Sequence, residues 1–420
     1  VKLKQRRFIN LYVNESDFEK FKVFENEEYV LPIPTEEGLL FCGWYDEDGN
    51  VWEKGVYSFE EDINLYAKWV DSSNYQLGVC QNFSETHTYR SIKKYLGSES
   101  VVVIPTHDEL GKEINYIEFA AFSKNEYIEK IYPPITTKEI DVSGCSNLKQ
   151  LGPAGLTGYG FRSLERLNMS YCPSLTEVYV NLASSLASFD ASYCESLSIL
   201  DIYQSENLTS FDIKGCSSLS ELNLTFKSLN NLNLTGYKQL ESVHLQGDLN
   251  SLDVSGLDLL HLGFTDIYDG PQTNISSINA SNCQKLTELY VYEINLNSLK
   301  VNNCENLTIL RCYDNNLISL DLSGCKNLKS LDCQDNELSS LNVSSCTLLE
   351  SLICSNNNLG SLDVSSCTLL EYLSCHDNNL GSLDISNCYA LTSVYCYNNN
   401  ISGTIDISNC NSLKRLECQN

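Results

Sequence analysis

The chain has 420 residues, more than one ordinary hydrophobic core accommodates, so we expect several modules or a repeat array. It carries 55 acidic and 28 basic residues, a formal net charge of -27, which makes nucleic acids and anionic lipid surfaces unfavourable partners. No apolar run reaches the roughly 20 residues that a spanning helix requires, so we expect no membrane insertion. The chain begins at Val1 and ends within a repeat, so we expect it to be part of a longer protein.

Residues 1–70 are predicted to form a small β module. They contain two aromatic-rich segments, FCGWY at residues 41–45 and LYAKW at residues 65–69. This pair of segments resembles the ending of the internalin B-repeat family, also called the Listeria–Bacteroides repeat. The resemblance implies a β-grasp-like domain of secreted or wall-attached bacterial proteins, with a spacer role or weak adhesion.

Residues 71–135 are predicted to link this module to the rest of the chain. Between residues 101 and 134 they contain Ile104-Pro105, Ile114, Ala121-Phe122, Ile131 and Pro133. This order resembles the I-P, A-F and I-x-P pattern of BspA-like bacterial surface antigens. A stack of repeats has an open apolar end that must be covered, so the resemblance implies an N-terminal cap.

From residue 136 to residue 420 the sequence repeats every 21 or 22 residues. Each repeat has a strand A, L-x-C/L-x-x-N-x-L, as at residues 352–359, and a strand B, L-D-V-S-x-C-x-x-L, as at residues 362–370. Alternation of apolar and polar residues predicts β structure. The period and the strand A pattern identify this region as similar to leucine-rich repeats. The predicted fold is therefore mostly β, a leucine-rich-repeat solenoid preceded by a small β-grasp-like domain.

Most of the nineteen cysteines fall into two ordered series. Members of both series are replaced in other repeats by aliphatic or aromatic residues, so we predict buried free thiols that act as small hydrophobes, and neither disulfides nor zinc ligands. The strand B series is Cys145, Cys172, Cys194, Cys216, Cys283, Cys304, Cys325, Cys346, Cys367, Cys388 and Cys410. The strand A series is Cys312, Cys333, Cys354, Cys375, Cys396 and Cys418.

Two polar rows also follow the repeat. An inward amide can both donate to and accept from buried turn backbone, so the strand A asparagines are predicted to hold the coils together. The members of this row are Asn315, Asn336, Asn357, Asn378 and Asn399. Strand B places an Asp or Asn two residues before a Ser, as in Asp363 and Ser365, which predicts local bonding to the turn. Calcium binding by this carboxylate row is the alternative.

The sequence contains no recognisable nucleophile–base pair, phosphate loop or pair of catalytic carboxylates, and its five histidines share no motif. We therefore predict that these residues form a binding protein without enzymatic activity and without a cofactor. Two insertions interrupt the period, at residues 151–163 and 265–277, and are either functional loops or tolerated bulges.

The outward positions of strand A differ from repeat to repeat and are rich in tyrosine, whereas strand B repeats nearly the same residue. Tyrosine offers a large apolar area with a polar tip, which suits recognition. Consecutive repeats should place Tyr292 beside Tyr313 and Tyr290 beside Arg311. An aromatic sheet surface without a ligand is the alternative. The predicted ligand-binding residues are Tyr290, Tyr292, Arg311, Tyr313, Tyr372, His376, Tyr395 and Tyr397.

These features predict an extracellular protein, secreted or attached to the bacterial cell wall, that binds a protein or glycan of a host or a neighbouring cell. Two alternatives stay open at this point. The chain could be the targeting arm of a larger enzyme whose catalytic domain lies beyond residue 420, or a spacer that holds another domain away from the cell wall.

Overall fold

The computed structural model describes residues 6–14, 18–24, 28–47, 51–52, 55–56, 62–81, 88–118, 121–123, 125–134, 136–152, 161–229, 232–264 and 273–419. The chain divides into two compact units, residues 1–195 with 212–215 and residues 196–211 with 216–420. Most of the insertions predicted at 151–163 and 265–277 lie outside the described residues. Within the described residues, no helix has the length and apolar character needed to cross a membrane.

The first unit is built from short strands and one turn of 3-10 helix at Ser72–Asn74. The strands are β1 (Arg6–Tyr12), β2 (Phe18–Phe24), β3 (Glu28–Tyr29), β4 (Leu39–Tyr45), β5 (Val51–Trp52), β6 (Gly55–Val56), β7 (Ile63–Asp71), β8 (Tyr75–Gln81), β9 (Thr88–Tyr95), β10 (Val101–Val103), β11 (Ile114–Ile117), β12 (Lys130–Tyr132), β13 (Glu139–Asp141), β14 (Gln150–Leu151), β15 (Arg166–Asn168), β16 (Glu177–Tyr179) and β17 (Ser188–Asp190).

The N-terminal module is a sheet in the order β2-β1-β7-β4-β5, with β1 and β7 parallel and the other pairs antiparallel. First and last strands lying parallel at the centre give the predicted β-grasp-like arrangement. The two aromatic-rich segments lie within β4 and β7, and Trp44 pairs with Ala67. Phe41 contacts Trp44 and Trp69 edge-on, with ring centroids 5.7 and 5.5 Å away. The motif therefore builds the core of this module.

Residues 71–135 continue the strands of the first repeats. β9 pairs with β8 and β11, β11 pairs with β13, and β10 pairs with β12. Ile104, Ile114, Phe122 and Ile131, which carry the repeat-like pattern, are buried. Hydrogen bonds also reach the N-terminal module, since the Thr106 backbone N–H donates to the Phe41 carbonyl over 2.7 Å. The domain boundaries at residues 70 and 135 stay a prediction.

The strands that follow belong to the leucine-rich repeats. They are β18 (Ile199–Ile202), β19 (Ser210–Asp212), β20 (Glu221–Ser228), β21 (Ser242–Asp253), β22 (His261–Gly263), β23 (Ile275–Asn279), β24 (Glu288–Tyr290), β25 (Ser298–Lys300), β26 (Ile309–Arg311), β27 (Leu320–Asp321), β28 (Ser330–Asp332), β29 (Ser351–Ile353), β30 (Tyr372–Ser374), β31 (Ser393–Tyr395) and β32 (Arg415–Glu417).

In the second unit the strand A segments form one parallel sheet in the order β18-β20-β21-β22-β24-β26-β28-β29-β30-β31-β32. From β28 to β30 the register follows the repeat, so that Leu331, Leu352 and Leu373 are aligned and fully buried. The strand B segments are shorter. In the later coils their pairing is reduced to single β-bridges that join Asn342 to Asp363 and Asp363 to Asp384. The predicted leucine-rich-repeat solenoid is confirmed.

The asparagine row of strand A joins each coil to the one before it. The Asn336 Nδ2 donates to the carbonyls of Cys312, Cys333 and Gln334 over 2.9, 3.2 and 3.0 Å. Its Oδ1 accepts from the Leu317 backbone N–H over 3.0 Å. The same pattern recurs at Asn357, Asn378 and Asn399. The predicted structural role of this row is confirmed.

The residue before each of these asparagines has left-handed backbone, a conformation that Asp and Asn tolerate better than most side chains. This explains why an Asp or Asn precedes each asparagine of the row. The residues and their φ angles are Asp314 (50°), Asp335 (53°), Asn356 (51°), Asp377 (52°) and Asn398 (51°).

Every cysteine whose side chain is described is a free thiol, and all of these except Cys418 are buried. The strand B thiols also form a contact that the sequence did not predict. The Sγ atoms of Cys283, Cys304 and Cys325 lie 3.1 to 3.2 Å from backbone carbonyl oxygens of the preceding coil. A thiol is a weak donor, so each of these positions combines apolar packing with a weak hydrogen bond between coils.

We expect the buried thiols to be unreactive in the folded protein. Burial raises the pKa of Cys346 and Cys396 to about 11 and that of Cys283 to about 12, so little nucleophilic thiolate forms at pH about 8. Among the described thiols, iodoacetamide should modify Cys418 first, as measured by peptide mass spectrometry. In denaturant without reductant, all nineteen cysteines should react. Disulfide-linked peptides from neighbouring coils would contradict this.

Removing the side-chain amide of one asparagine in the strand A row should destabilise the second unit. Asn357→Ala leaves the buried Leu338 N–H without its acceptor, which costs about 1 to 3 kcal/mol, and it removes one of the two donors to each of the three carbonyls that the amide contacts. We expect the free energy of unfolding to fall by about 1 to 3 kcal/mol, measured by urea denaturation. The adjacent Asn358 is exposed, and Asn358→Ala should change it by under about 0.5 kcal/mol. Equal effects of the two variants would refute the structural role.

Candidate binding face

The outward side chains of strand A in the second unit form a continuous surface, here called the strand A face. Between β24 and β32 every coil contributes three outward positions. In β24 these are Glu288 and Tyr290, which flank the buried Leu289, and Tyr292 after them. The register aligns these positions in columns, so that Tyr290, Arg311 and Asp332 are neighbours. The parallel sheet therefore decides which side chains meet on this face.

The first aromatic cluster comprises Tyr290, Tyr292, Arg311 and Tyr313. The rings of Tyr292 and Tyr313 are stacked, with centroids 4.6 Å apart and an interplanar angle of 7°. The Arg311 guanidinium lies 5.5 Å from the centroid of the Tyr290 ring. Tyr292 is 39% exposed, so the stack is open to solvent. Both adjacencies predicted from the repeat are confirmed.

The second aromatic cluster comprises Tyr372, His376, Tyr395, Tyr397 and Arg415. The His376 and Tyr397 rings are stacked with centroids 4.3 Å apart, and the Tyr372 and Tyr395 rings are tilted at 5.6 Å. The Arg415 guanidinium lies 5.1 Å from the Tyr395 centroid. His376 Nδ1 is 2.6 Å from Asp377 Oδ2, which fixes the orientation of the imidazole. The eight predicted residues thus lie in two groups.

Mostly short side chains separate the two clusters. The two coils between them present Ser330, Asp332 and Gln334, then Ser351, Ile353 and Ser355, on the strand A face, and Ser355 is almost fully buried. Strands β26 and β30 are three steps apart in the sheet, and parallel strands are spaced by about 4.8 Å. The clusters are therefore about 14 Å apart across a low, mostly polar floor.

An acidic group lies beside the first cluster. Burial raises the pKa of Asp332, the nearby charges of Asp335 and Asp314 raise it further, and Arg311 lowers it. Partial burial and the charge of Asp335 also raise the pKa of Asp314. The carboxylates next to Arg311 therefore repel one another, and a positive charge placed there would be stabilised.

The strand B surface is chemically uniform. The Asp363 and Asp384 carboxylates each accept a hydrogen bond of 2.9 Å from the backbone N–H of Ser365 and Ser386, and these bonds lower the pKa of both carboxyls. The predicted turn bonding of this row is confirmed. Across the described residues no group of three or more His, Cys, Asp or Glu side chains is arranged to hold a metal ion.

Two features of the molecule were missed from the sequence. Arg415 occupies the same column as Ser393 and covers Tyr395, and extending the repeat by one coil would have found it. In the first unit, a cavity of about 720 Å³ lies against strand B and is lined in part by Lys93, Glu118, Glu139 and Arg166. It depends on the β8–β9 hairpin, whose pairing carries no repeat signal.

Carboxyl groups on the strand A face and on strand B should have pKa shifts of opposite sign. The Asp332 carboxyl should have a pKa above its ordinary value, whereas those of Asp363 and Asp384 should lie below theirs, as measured by carbon-13 NMR of the carboxyl groups. Carboxyls with a lowered pKa stabilise the fold above their unfolded pKa, and this contribution is lost as the pH falls through the folded pKa. Arg311→Gln should raise the pKa of Asp332 further. An unchanged Asp332 pKa would contradict the proximity of these charges.

No protein-family model matches the chain, and no curated protein matches it. Among solved structures it is similar to the functional domain of InlJ from Listeria monocytogenes, described as including a cysteine ladder, at 22% identity over 72% of this chain, with a TM-score of 0.39. This match spans 65% of the InlJ domain. A leucine-rich-repeat protein of Leptospira interrogans matches at 17% identity over 72% of this chain and 88% of its own, with a TM-score of 0.39. YopM from Yersinia enterocolitica matches at 21% identity over 74% of this chain and 78% of its own, with a TM-score of 0.33.

Proposed function

We propose that this chain is a binding protein of the bacterial surface or secretome, and that its strand A face engages a protein or a glycan of a host or neighbouring cell. The single observation that carries the proposal is the contrast between the two faces of the second unit. Strand B repeats one turn-bonding residue, whereas strand A gathers aromatic and guanidinium side chains into two partly exposed clusters. The turn hydrogen bonds explain the repeated residue of strand B, whereas the fold does not require the aromatic clusters of strand A.

The residues of the two clusters suit recognition energetically. Their tyrosines combine a large apolar ring with a hydroxyl group, and tyrosine has few torsions to immobilise on binding. They are already ordered before a partner arrives, because Tyr292 is stacked on Tyr313 and His376 on Tyr397. An arginine over an aromatic face adds about 0.5 to 2 kcal/mol. Prearranged contacts of this kind reduce the entropy that binding costs.

The spacing of the clusters favours a partner with two contact points. They lie about 14 Å apart, and the serine-rich floor between them leaves room for a loop or a short oligosaccharide. The acidic residues beside Arg311 would favour a neutral or basic partner. The net charge of -27 argues against nucleic acid and anionic membranes as partners.

The location outside the cell rests on the two resemblances found in the sequence. The internalin B-repeat-like segments supply the central strands of the N-terminal module, and the BspA-like segment supplies β10 to β12 before the first regular coils. An N-terminal spacer module, a cap and a solenoid together form an arrangement suited to adhesion. We propose no catalytic step and no cofactor for this chain.

The test begins with a search for partners. Purified protein is screened on a glycan array and on immobilised serum and matrix proteins, and the affinity for each hit is measured. Replacing Tyr292 and Tyr313 together by alanine should weaken binding by about tenfold or more, because buried tyrosines often dominate binding energy. Folding should survive, because both side chains point away from the core.

Two control variants make the result specific. Tyr389→Ala removes an exposed tyrosine from the same unit outside the strand A face and should leave affinity unchanged. Asp363→Ala with Asp384→Ala alters strand B and should also leave it unchanged. If the strand B pair weakens binding while the Tyr292 and Tyr313 pair does not, the binding face has been assigned wrongly.

A further inference from the structure

Two tyrosines of the first unit hold a backbone conformation that disfavours them. Tyr171 and Tyr193 have φ angles of 59° and 61°, in the left-handed region where a Cβ atom clashes with the following carbonyl oxygen. Both occupy the turn after strand B, just before a buried cysteine. Strained residues persist where the surrounding structure fixes them, and they are concentrated at functional sites.

The scaffold dictates this conformation, whatever the side chain. The backbone N–H groups of Gly144, Tyr171 and Tyr193 each donate to a carbonyl of the following coil over 2.9, 2.8 and 2.6 Å. The equivalent position is glycine or asparagine in several other coils that share the left-handed conformation. These residues are Gly144, Gly215, Gly256, Asn282, Asn303 and Gly324. Local backbone chemistry therefore favours Gly or Asn at residues 171 and 193, and the tyrosines need another explanation.

The two rings form an exposed stack. Their centroids are 4.9 Å apart with an interplanar angle of 14°, and Tyr171 and Tyr193 are 59% and 36% exposed. Packing of the core does not require either ring. The stack is a flat aromatic surface of about two rings on the outside of the first unit.

The ends of this stack differ. Beyond Tyr193, a Cβ atom on Gly215 would lie 3.0 Å from the tyrosine ring, so glycine makes room for it, and the Lys214 ammonium lies 5.8 Å from the ring centroid. Beyond Tyr171, a Cβ atom on Gly144 would meet no atom within 4 Å. The Lys214 end already carries a cation of the chain itself, whereas the Tyr171 end faces open space at Gly144.

We propose that the Tyr171–Tyr193 stack is a second interaction surface, whose open ring face over Gly144 binds an arginine side chain of a basic polypeptide. Arginine is favoured because its planar guanidinium stacks on aromatic rings and is less strongly hydrated than an ammonium group. The net charge of -27 attracts a basic chain to the protein. Lys214 beside Tyr193 is the chain's own example of a cation held at this stack.

The experiment uses two fluorescein-labelled peptides that alternate glycine with either arginine or lysine and carry the same charge. Binding to the full chain is measured by fluorescence polarisation at about 0.15 M ionic strength, where long-range attraction is partly screened. Tyr171→Asn with Tyr193→Asn changes no charge and installs the residue that later coils use at Asn282 and Asn303. We expect the arginine peptide to bind roughly 3- to 30-fold more weakly to this variant. The lysine peptide should be affected less.

Thermal unfolding of the same variant separates a binding role from a structural one. Asparagine tolerates the left-handed region, so Tm should stay constant or rise by about 2 °C. Tyr292→Ala with Tyr313→Ala, on the strand A face, should leave the arginine peptide unaffected, so this surface and the proposed function can fail independently. A fall in Tm would show that the rings serve the fold. Equal loss of both peptides, or no loss of either, would overturn the proposal.

Discussion

From Asn315 to Asn399, each coil of the second unit turns through a buried corner whose backbone carbonyls cannot reach water, and the asparagine row supplies hydrogen bonds to these carbonyls. One amide forms hydrogen bonds with three carbonyls and one N–H group that belong to two successive coils. The corner then needs no help from the side chains that point outward from strand A. Because inward side chains form the hydrogen bonds of the corner, the outward side chains of the same strand can vary without loss of these bonds. The two aromatic clusters lie at such outward positions.

The strand B thiols occupy apolar positions and also form directional hydrogen bonds. An aliphatic residue fills the strand B slot equally well, as Leu257 does. The cysteines that fill it elsewhere add a weak donor aimed at the preceding coil, as Cys304 does towards Ala280. The contact links successive coils in the same sense as the asparagines. Together with the parallel sheet, these two hydrogen-bonded rows oppose sliding of one coil along the next.

The solenoid and the first aromatic cluster were predictable because both follow from periodicity. Once the repeat length is known, Tyr292 and Tyr313 must be neighbours, and Asn336 must point inward. The left-handed tyrosines were not predictable, since Tyr171 and Tyr193 share the spacing of ordinary turn residues and differ only in backbone conformation. The cavity beside Glu139 was missed for another reason. It depends on antiparallel pairing of β8 and β9, which lies outside the repeat and leaves no periodic trace.

The serine-rich floor between the two clusters consists of whole coils, and each coil is encoded by 21 residues. Duplication or loss of one such segment would keep every hydrogen-bonded row in register, because the joints between coils are alike. The distance between the clusters would change by a single strand spacing, about 4.8 Å. Duplication or deletion of coils would therefore change the distance between the two clusters in discrete steps. No residue within either cluster would have to change.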